Sequence, residues 1–322
     1  MSADARPRLL VARRVPDAVA ERARREFDAV LVDHDLDAEE TLRMLADTGA
    51  TGLFTSPRAR FDAGHAARLP AALRIIANAS VGFDHMDVAA CRARGVVVTN
   101  SPDVLTDCTA DLAMMLVLNA CRRATEYAAV MRDGWRKPYG MPDLLGLQVS
   151  GRTLGIVGMG RIGQGVARRA AGFGMRVLYH NRRRLDPALE QGAEYVDTLD
   201  ALIERSAVLS LHLPASAETG VLMTRERFAR MPRGAVFVNT ARGALVDEDA
   251  LIEALRSGHL FAAGLDVFRR EPDFDTRFAE LPNAFLTPHV ASATVETRDA
   301  MGFRALDNLA AVLSGGDPVD PV

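Results

Sequence analysis

Short β-rich runs alternate with stretches of helical spacing along almost the whole chain, and this alternation narrows the possible folds more than any other feature. Residues 8–12, 29–32, 51–55, 73–77 and 96–99 are strand-like, separated by helix-like segments at 16–27, 38–46, 62–69 and 87–94. Such order implies a mostly parallel sheet covered by helices on both faces. A long helical stretch at 105–132 follows and ends at Gly134, and 135–142 reads as a loop. The alternation then restarts, with strand candidates at 153–157, 176–180, 208–213, 235–239, 262–266 and 284–287, and helices at 162–173, 199–205, 225–230 and 248–257. A last helix spans 294–313 and stops at Ser314-Gly315-Gly316. A chain of 322 residues has room for two domains of ordinary size. The sequence therefore predicts an α/β protein of two doubly wound parallel-sheet lobes, with the central helix crossing between them.

One turn narrows this further. Gly158-Met159-Gly160-Arg161-Ile162-Gly163 follows a predicted strand directly and opens a helix. In that context GxGxxG points to dinucleotide binding: Gly158 permits the tight turn, Gly160 lets backbone approach a pyrophosphate, and Gly163 lets helix and strand pack closely. The helix N-terminus adds free N–H groups and the positive end of a dipole. An NAD-type site would place an acidic residue at the end of the next strand, to bond the ribose diol. The string there, 23 residues beyond Gly158, is Asn181-Arg182-Arg183-Arg184, and it contains no acid. Asn181 with Arg182 and Arg183 suits a 2′-phosphate, so NADP(H) is the preferred cofactor and NAD(H) remains possible.

Three more segments place polar groups where later strands end. Asn239-Thr240-Ala241-Arg242-Gly243 supplies an arginine, the stretch from Asp266 to Glu271 supplies carboxylates, and Thr287-Pro288-His289 supplies a histidine. The carboxyl ends of strands in an open parallel sheet face the ligand crevice, so all three can converge on one cofactor. Composition excludes other chemistries. Lys137 is the only lysine and lies in a loop rich in Pro and Gly, which removes Schiff-base and P-loop lysines. No HExxH, CxxC or GxSxG string occurs, and no metal site is expected. A net charge of −3 gives no reason to expect nucleic acid or an anionic membrane as partner. Three cysteines, no signal-type h-region and no long apolar run predict a cytoplasmic protein with reduced thiols.

These strings carry a family resemblance that spans nearly the whole chain. Ser80-Val81-Gly82-Phe83-Asp84-His85, Val104-Leu105-Thr106-Asp107, the glycine turn, Asn239–Gly243, Leu265-Asp266-Val267-Phe268 and Pro288-His289 resemble the D-isomer-specific 2-hydroxyacid dehydrogenases. Within that family the chain is most similar to glyoxylate/hydroxypyruvate and other 2-ketoacid reductases that use NADPH. The resemblance implies a discontinuous, flavodoxin-like substrate domain of residues 1–100 plus 289–322. It also implies a Rossmann cofactor domain at 101–288, and a homodimer whose interface uses 104–150. It further implies that backbone N–H groups of Val81 and Gly82 clamp the substrate carboxylate, and that Asp266 contacts the nicotinamide side. Thr106, His212 and Thr240 are implied to line the cofactor, with Pro214, Ala241, Arg161 and Ile162 beside them.

The chemistry explains these residue types. Arg242 can bond a 2-ketoacid's carboxylate and carbonyl oxygen, orienting it and stabilising a developing alkoxide. His289 donates the proton to that oxygen, and Glu271 beside it favours the imidazolium. Relatives acting on formate carry Gln where Glu271 stands, and relatives oxidising phosphite carry Lys where Val81 stands, so neither substrate is expected. Many phosphoglycerate-oxidising relatives carry a regulatory extension; none is expected after Val322, nor is that activity. The alternative class is an NAD(H)-sensing, corepressor-like binding protein with weak turnover. Leu53, Phe83 and the 135–142 loop are the positions expected to set substrate size.

Overall fold

The computed structural model describes residues 6–216 and 218–322, which form two compact units: the chain up to Leu105 together with Ser292–Val322, and Thr106–Ala291. In the first unit, strands β1 (Arg8–Val11), β2 (Asp28–Leu31), β3 (Gly52–Thr55), β4 (Ile75–Asn78) and β5 (Val97–Thr99) form a parallel sheet in the order β2-β1-β3-β4-β5. This is the flavodoxin-like order, with its reversal between β1 and β3. Because successive strand residues point to opposite faces, each short apolar run serves two cores. Leu10, Leu53 and Ile76 pack with Leu42 and Leu45 of helix Ala38–Thr48. Leu9, Val11, Phe54 and Ile75 pack instead with helix Asp17–Glu26 and with the last helix, Val295–Leu313.

The second unit holds β6 (Thr153–Val157), β7 (Arg176–His180), β8 (Glu194–Tyr195), β9 (Val208–Leu211), β10 (Ala235–Asn239), β11 (Leu260–Leu265) and β12 (Ala284–Leu286). Among the described residues they form one parallel sheet in the order β12-β11-β10-β9-β6-β7-β8, so the order reverses between β6 and β9. Ligands of open α/β sheets bind outside the carboxyl ends of strands at such a reversal. The glycine turn leaves β6 at that point.

Two differences from the sequence reading have local causes. The stretch 105–132 is two helices, Thr106–Cys121 and Ala124–Arg132. The Cys121 carbonyl accepts the Leu147 N–H at 2.7 Å, and Arg123 adopts a left-handed φ of 57°, so the helix breaks there. The unit boundaries fall after Leu105 and Ala291, rather than at 100/101 and 288/289. Residues 289–291 stay with the second unit because all three backbone N–H groups donate to Asp266, at the end of β11.

Candidate active site

The glycine turn is built by close approach. Gly158 has a φ of 95°, and a Cβ there would lie 2.7 Å from the His212 carbonyl oxygen. A Cβ on Gly163 would lie 2.3 Å from the Gly158 carbonyl oxygen, so helix Arg161–Gly172 packs against its own turn only because that residue is glycine. Gly160 differs: no atom lies within 4 Å of where its Cβ would be. It is the N-cap of the helix, and its cap carries no side-chain hydrogen bond. The result is an open cradle of backbone N–H groups at the positive end of a 12-residue helix, which fits a pyrophosphate.

Around it stand the other positions expected to meet a cofactor. Asn181 follows β7, and its Oδ1 accepts the Met159 N–H at 2.7 Å, so this side chain braces the glycine turn itself. Arg182 and Arg183 are exposed, and Arg182 lies 3.7 Å from Glu218, with both side chains almost fully in solvent. Arg184 turns back onto Glu190. His212 follows β9, with Nε2 2.8 Å from Ser210 Oγ and Nδ1 3.4 Å from Thr240 Oγ1. Burial pushes its imidazole down to about 4, so the ring is neutral at neutral pH. Thr106 opens its helix, Ile162 is partly buried, and Arg161 and Pro214 are exposed.

The catalytic candidates are positioned by the ends of β10, β11 and β12. Asn239, the last residue of β10, folds the Thr240–Gly243 turn: its Oδ1 accepts the Ala241 N–H and its Nδ2 donates to the Arg242 carbonyl, each at 2.9 Å. The residue after Arg242 must be glycine, since a Cβ on Gly243 would sit 1.9 Å from the Phe268 carbonyl carbon. That contact stacks the arginine turn on the segment leading to Glu271. Glu271 Oε1 accepts the Phe268 N–H at 2.8 Å, and Oε2 lies 2.6 Å from His289 Nδ1. Burial pushes the Glu271 carboxyl up, but His289, the Phe268 N–H and the charge of Arg242 together outweigh it and hold the group below its ordinary range.

Asp266, expected on the nicotinamide side, anchors the neighbouring loop. It is fully buried, and its carboxylate accepts from Thr287 Oγ1 at 2.6 Å, Val290 N–H at 2.8 Å and Ala291 N–H at 3.0 Å. These bonds hold the turn in which His289 adopts a left-handed φ of 54°, a cost that the surrounding structure must fix in place. Burial pushes the Asp266 carboxyl up, against these hydrogen bonds.

In the first unit, the loop after β4 is pinned by two side-chain amides. Asn100 Nδ2 donates to the Val81 carbonyl and Asn78 Nδ2 to the Gly82 carbonyl, each at 2.9 Å. Among the described residues no acceptor meets the N–H of Val81 or of Gly82. Leu53 is fully buried in the core and Phe83 is exposed, so Leu53 sets the packing of its sheet rather than the size of a pocket. Asn78, Asn100 and Asn239 are the positioning residues that sequence reasoning missed; their only signal is an amide at or just past a strand end. A separate cavity of about 500 Å³, lined by Arg123, Glu126, Arg256 and Phe261 among others, lies at the opposite, amino-terminal ends of β11 and β12.

A profile of the D-isomer-specific 2-hydroxyacid dehydrogenase NAD-binding domain matches residues 114–291. The chain belongs to the D-isomer-specific 2-hydroxyacid dehydrogenases. It is 42% identical to the glyoxylate reductase of Korarchaeum cryptofilum over 329 residues, covering 97% of this chain and 95% of the relative. It is 41% identical to glyoxylate/hydroxypyruvate reductase B of Klebsiella pneumoniae over 314 residues, covering 96% of each. Among solved structures of this dehydrogenase family, it superposes on the NADPH-dependent glyoxylate/hydroxypyruvate reductase of Sinorhizobium meliloti, in complex with NADP and malonate. There the TM-score is 0.87 at 36% identity, over 99% of this chain and 97% of that one. No helix among the described residues is long and apolar enough to cross a membrane, and no three or more His, Cys, Asp or Glu among them are grouped as for a metal ion.

Proposed function

We propose that the protein reduces small 2-ketoacids, of the glyoxylate and hydroxypyruvate type, to D-2-hydroxyacids, with NADPH preferred over NADH. The carrying observation is the Glu271–His289 pair at 2.6 Å, set with Arg242 at the carboxyl ends of the strands that also carry the glycine turn. The relatives' names support the same substrate class, and nothing favours the corepressor-like alternative.

The nicotinamide cofactor supplies the hydride, and the residues fitted to hold it are the N–H groups around Gly158–Gly163, with Thr106, Ile162, His212, Pro214, Thr240 and Ala241 alongside. Arg242 orients the ketoacid and stabilises negative charge growing on its carbonyl oxygen. The N–H groups of Val81 and Gly82 bind its carboxylate. His289 has Nδ1 committed to Glu271, which leaves Nε2 to give its proton to the carbonyl oxygen. Asp266 acts through the loop that it anchors. Arg182 and Arg183 take the 2′-phosphate, while Asn181 fixes the turn beneath. A homodimer in the cytoplasm completes the proposal; exposed Met131, Trp135, Met141 and Leu145 lie along the segment assigned to dimerisation, and sedimentation tests it.

The deciding experiment is steady-state reduction of glyoxylate and hydroxypyruvate with each cofactor. Replacing Arg182 and Arg183 by alanine is expected to cost NADPH more than about tenfold in kcat/KM, the scale of lost charge-assisted hydrogen bonds, while NADH is little affected. Equal losses for both cofactors would remove these arginines from phosphate recognition, and no turnover of either ketoacid would refute the substrate class.

A further inference from the structure

The segment that carries Arg182 and Arg183 is closed at both ends by internal hydrogen bonds. At its start, Asn181 is held through its side chain by the Met159 N–H, at 2.7 Å, and through its carbonyl by the Tyr195 hydroxyl, at 3.4 Å. At its far end lies a carboxylate on a buried residue, Glu190. Its Oε1 accepts from the hydroxyl of fully buried Tyr179 at 2.9 Å and from Arg184 Nε at 2.7 Å, and Oε2 accepts from Arg184 Nη2 at 3.3 Å. The Tyr179 hydroxyl also accepts the Leu185 N–H, at 3.1 Å. The Arg184 guanidinium lies over the Tyr195 ring, 5.8 Å from its centroid, which links the two ends.

The third arginine of the run is thus spent internally, and its charge is neutralised by Glu190. What remains facing solvent is a short span, tied down on either side, that presents Arg182 and Arg183. A loop ordered before its ligand arrives spends less binding energy on ordering. A free Arg184 would add a third mobile cation and loosen the span.

We propose that Tyr179, Arg184 and Glu190 are positioning residues for the 2′-phosphate: by clamping the span that follows β7 they hold Arg182 and Arg183 in place, and so set cofactor discrimination without touching the cofactor. This rests on the reading that Arg182 and Arg183 bind the phosphate. A purely structural clamp would weaken binding of every adenine nucleotide alike; a positioning clamp weakens only those carrying the 2′-phosphate.

Calorimetric titration of the full-length protein with adenosine 2′,5′-bisphosphate and with 5′-AMP separates these outcomes. Glu190→Gln frees Arg184 and is expected to raise the Kd of the bisphosphate by about fivefold or more, with 5′-AMP within about twofold of wild type, the scale of a lost hydrogen bond or two. Tyr179→Phe keeps the buried ring and removes only the hydroxyl, so it decides the matter if Glu190→Gln does not fold; a selective loss of about threefold is expected. Arg184→Lys, which keeps the ion pair, is expected to stay nearer wild type than Arg184→Leu. An unchanged bisphosphate-to-AMP ratio in folded Glu190→Gln and Tyr179→Phe overturns the proposal, as does an equal loss for both nucleotides. The parent reading fails separately: alanine at 182 and 183 would then leave the ratio of the two dissociation constants unaltered.

Discussion

The three glycines of the nucleotide turn should part company when each is given a methyl group. In Gly163→Ala the new Cβ would meet the Gly158 carbonyl oxygen at 2.3 Å and Ile156 Cγ2 at 3.2 Å. The first of these is backbone in the same turn, so helix Arg161–Gly172 must move away from β6. Overpacking of this kind costs about 1–3 kcal/mol, and in a unit of this size each kcal/mol lowers Tm by about 2–4 °C, so a fall of roughly 2–12 °C is expected. Gly158→Ala adds about 1–2 kcal/mol for a left-handed residue to its 2.7 Å contact with the His212 carbonyl oxygen, and should melt at least as early. Gly160→Ala has an ordinary φ of −76° and open space around the new carbon. Its ligand-free Tm should stay within about 2 °C of wild type, since glycine to alanine at an N-cap is worth well under 1 kcal/mol. Its affinity for NADPH should nevertheless fall by about tenfold or more, about 1.4 kcal/mol, because the methyl group occupies the space a pyrophosphate needs. Differential scanning calorimetry of the ligand-free variants and calorimetric NADPH titration read the two effects apart. If Gly160→Ala melts with Gly163→Ala, or binds NADPH as tightly as wild type, the pyrophosphate does not lie over Gly160.

The remaining predictions concern the proton donor and the buried imidazole. His289→Ala should lower kcat for ketoacid reduction by about a hundredfold or more while NADPH affinity changes little, measured by turnover and titration. Glu271→Gln keeps a hydrogen-bonding group beside His289 but removes the carboxylate that lies 2.6 Å from its Nδ1. Turnover of the ketoacid should fall by about tenfold or more while NADPH affinity changes little, and an unchanged kcat would uncouple Glu271 from the proton donor. His212 is neutral in the fold, with its ionisation pushed down to about 4, whereas the unfolded chain takes up that proton near about 6.5. Its contribution to stability is complete above the higher value and is lost as pH falls towards the lower, by at most about 1.4 kcal/mol per pH unit. Melting from pH 7 to 4.5 should show a steeper acid loss in wild type than in His212→Gln; parallel curves would refute it.

Arg242, Glu271 and His289 were legible because each is a polar group placed just past a run of apolar strand residues, where side chains leave the core. The sheets were legible for a related reason: residues such as Leu9 and Leu10 are both apolar, as buried parallel strands require. What escaped is what depends on partners distant in sequence. The break after Cys121 is made by Leu147, 26 residues away, and nothing in the apolar run at 112–118 signals it. Strand β8, at two residues, is too short to show a period. Leu53 was expected to shape a pocket, but its side chain is buried in the core with Leu10 and Ile76. The anchoring role of Asp266 escaped because its partners Thr287, Val290 and Ala291 lie more than 20 residues further along the chain. The role of Arg184 was hidden because three adjacent arginines look alike until one meets a buried carboxylate.

The last helix, Val295–Leu313, covers the sheet face built from Leu9, Val11, Phe54 and Ile75. On the ribosome those strands emerge early, and their cover emerges last. At about 5–20 residues per second, the interval between the release of β5 and the arrival of that helix is roughly 10–40 s. For that time an apolar parallel sheet has one face covered only in part, by helix Asp17–Glu26, while the intervening unit is still being made. A nascent chain of this kind is a natural client for chaperones that bind exposed apolar surface. Moving the helix ahead of β1 by circular permutation would let the first sheet close both faces before the second begins.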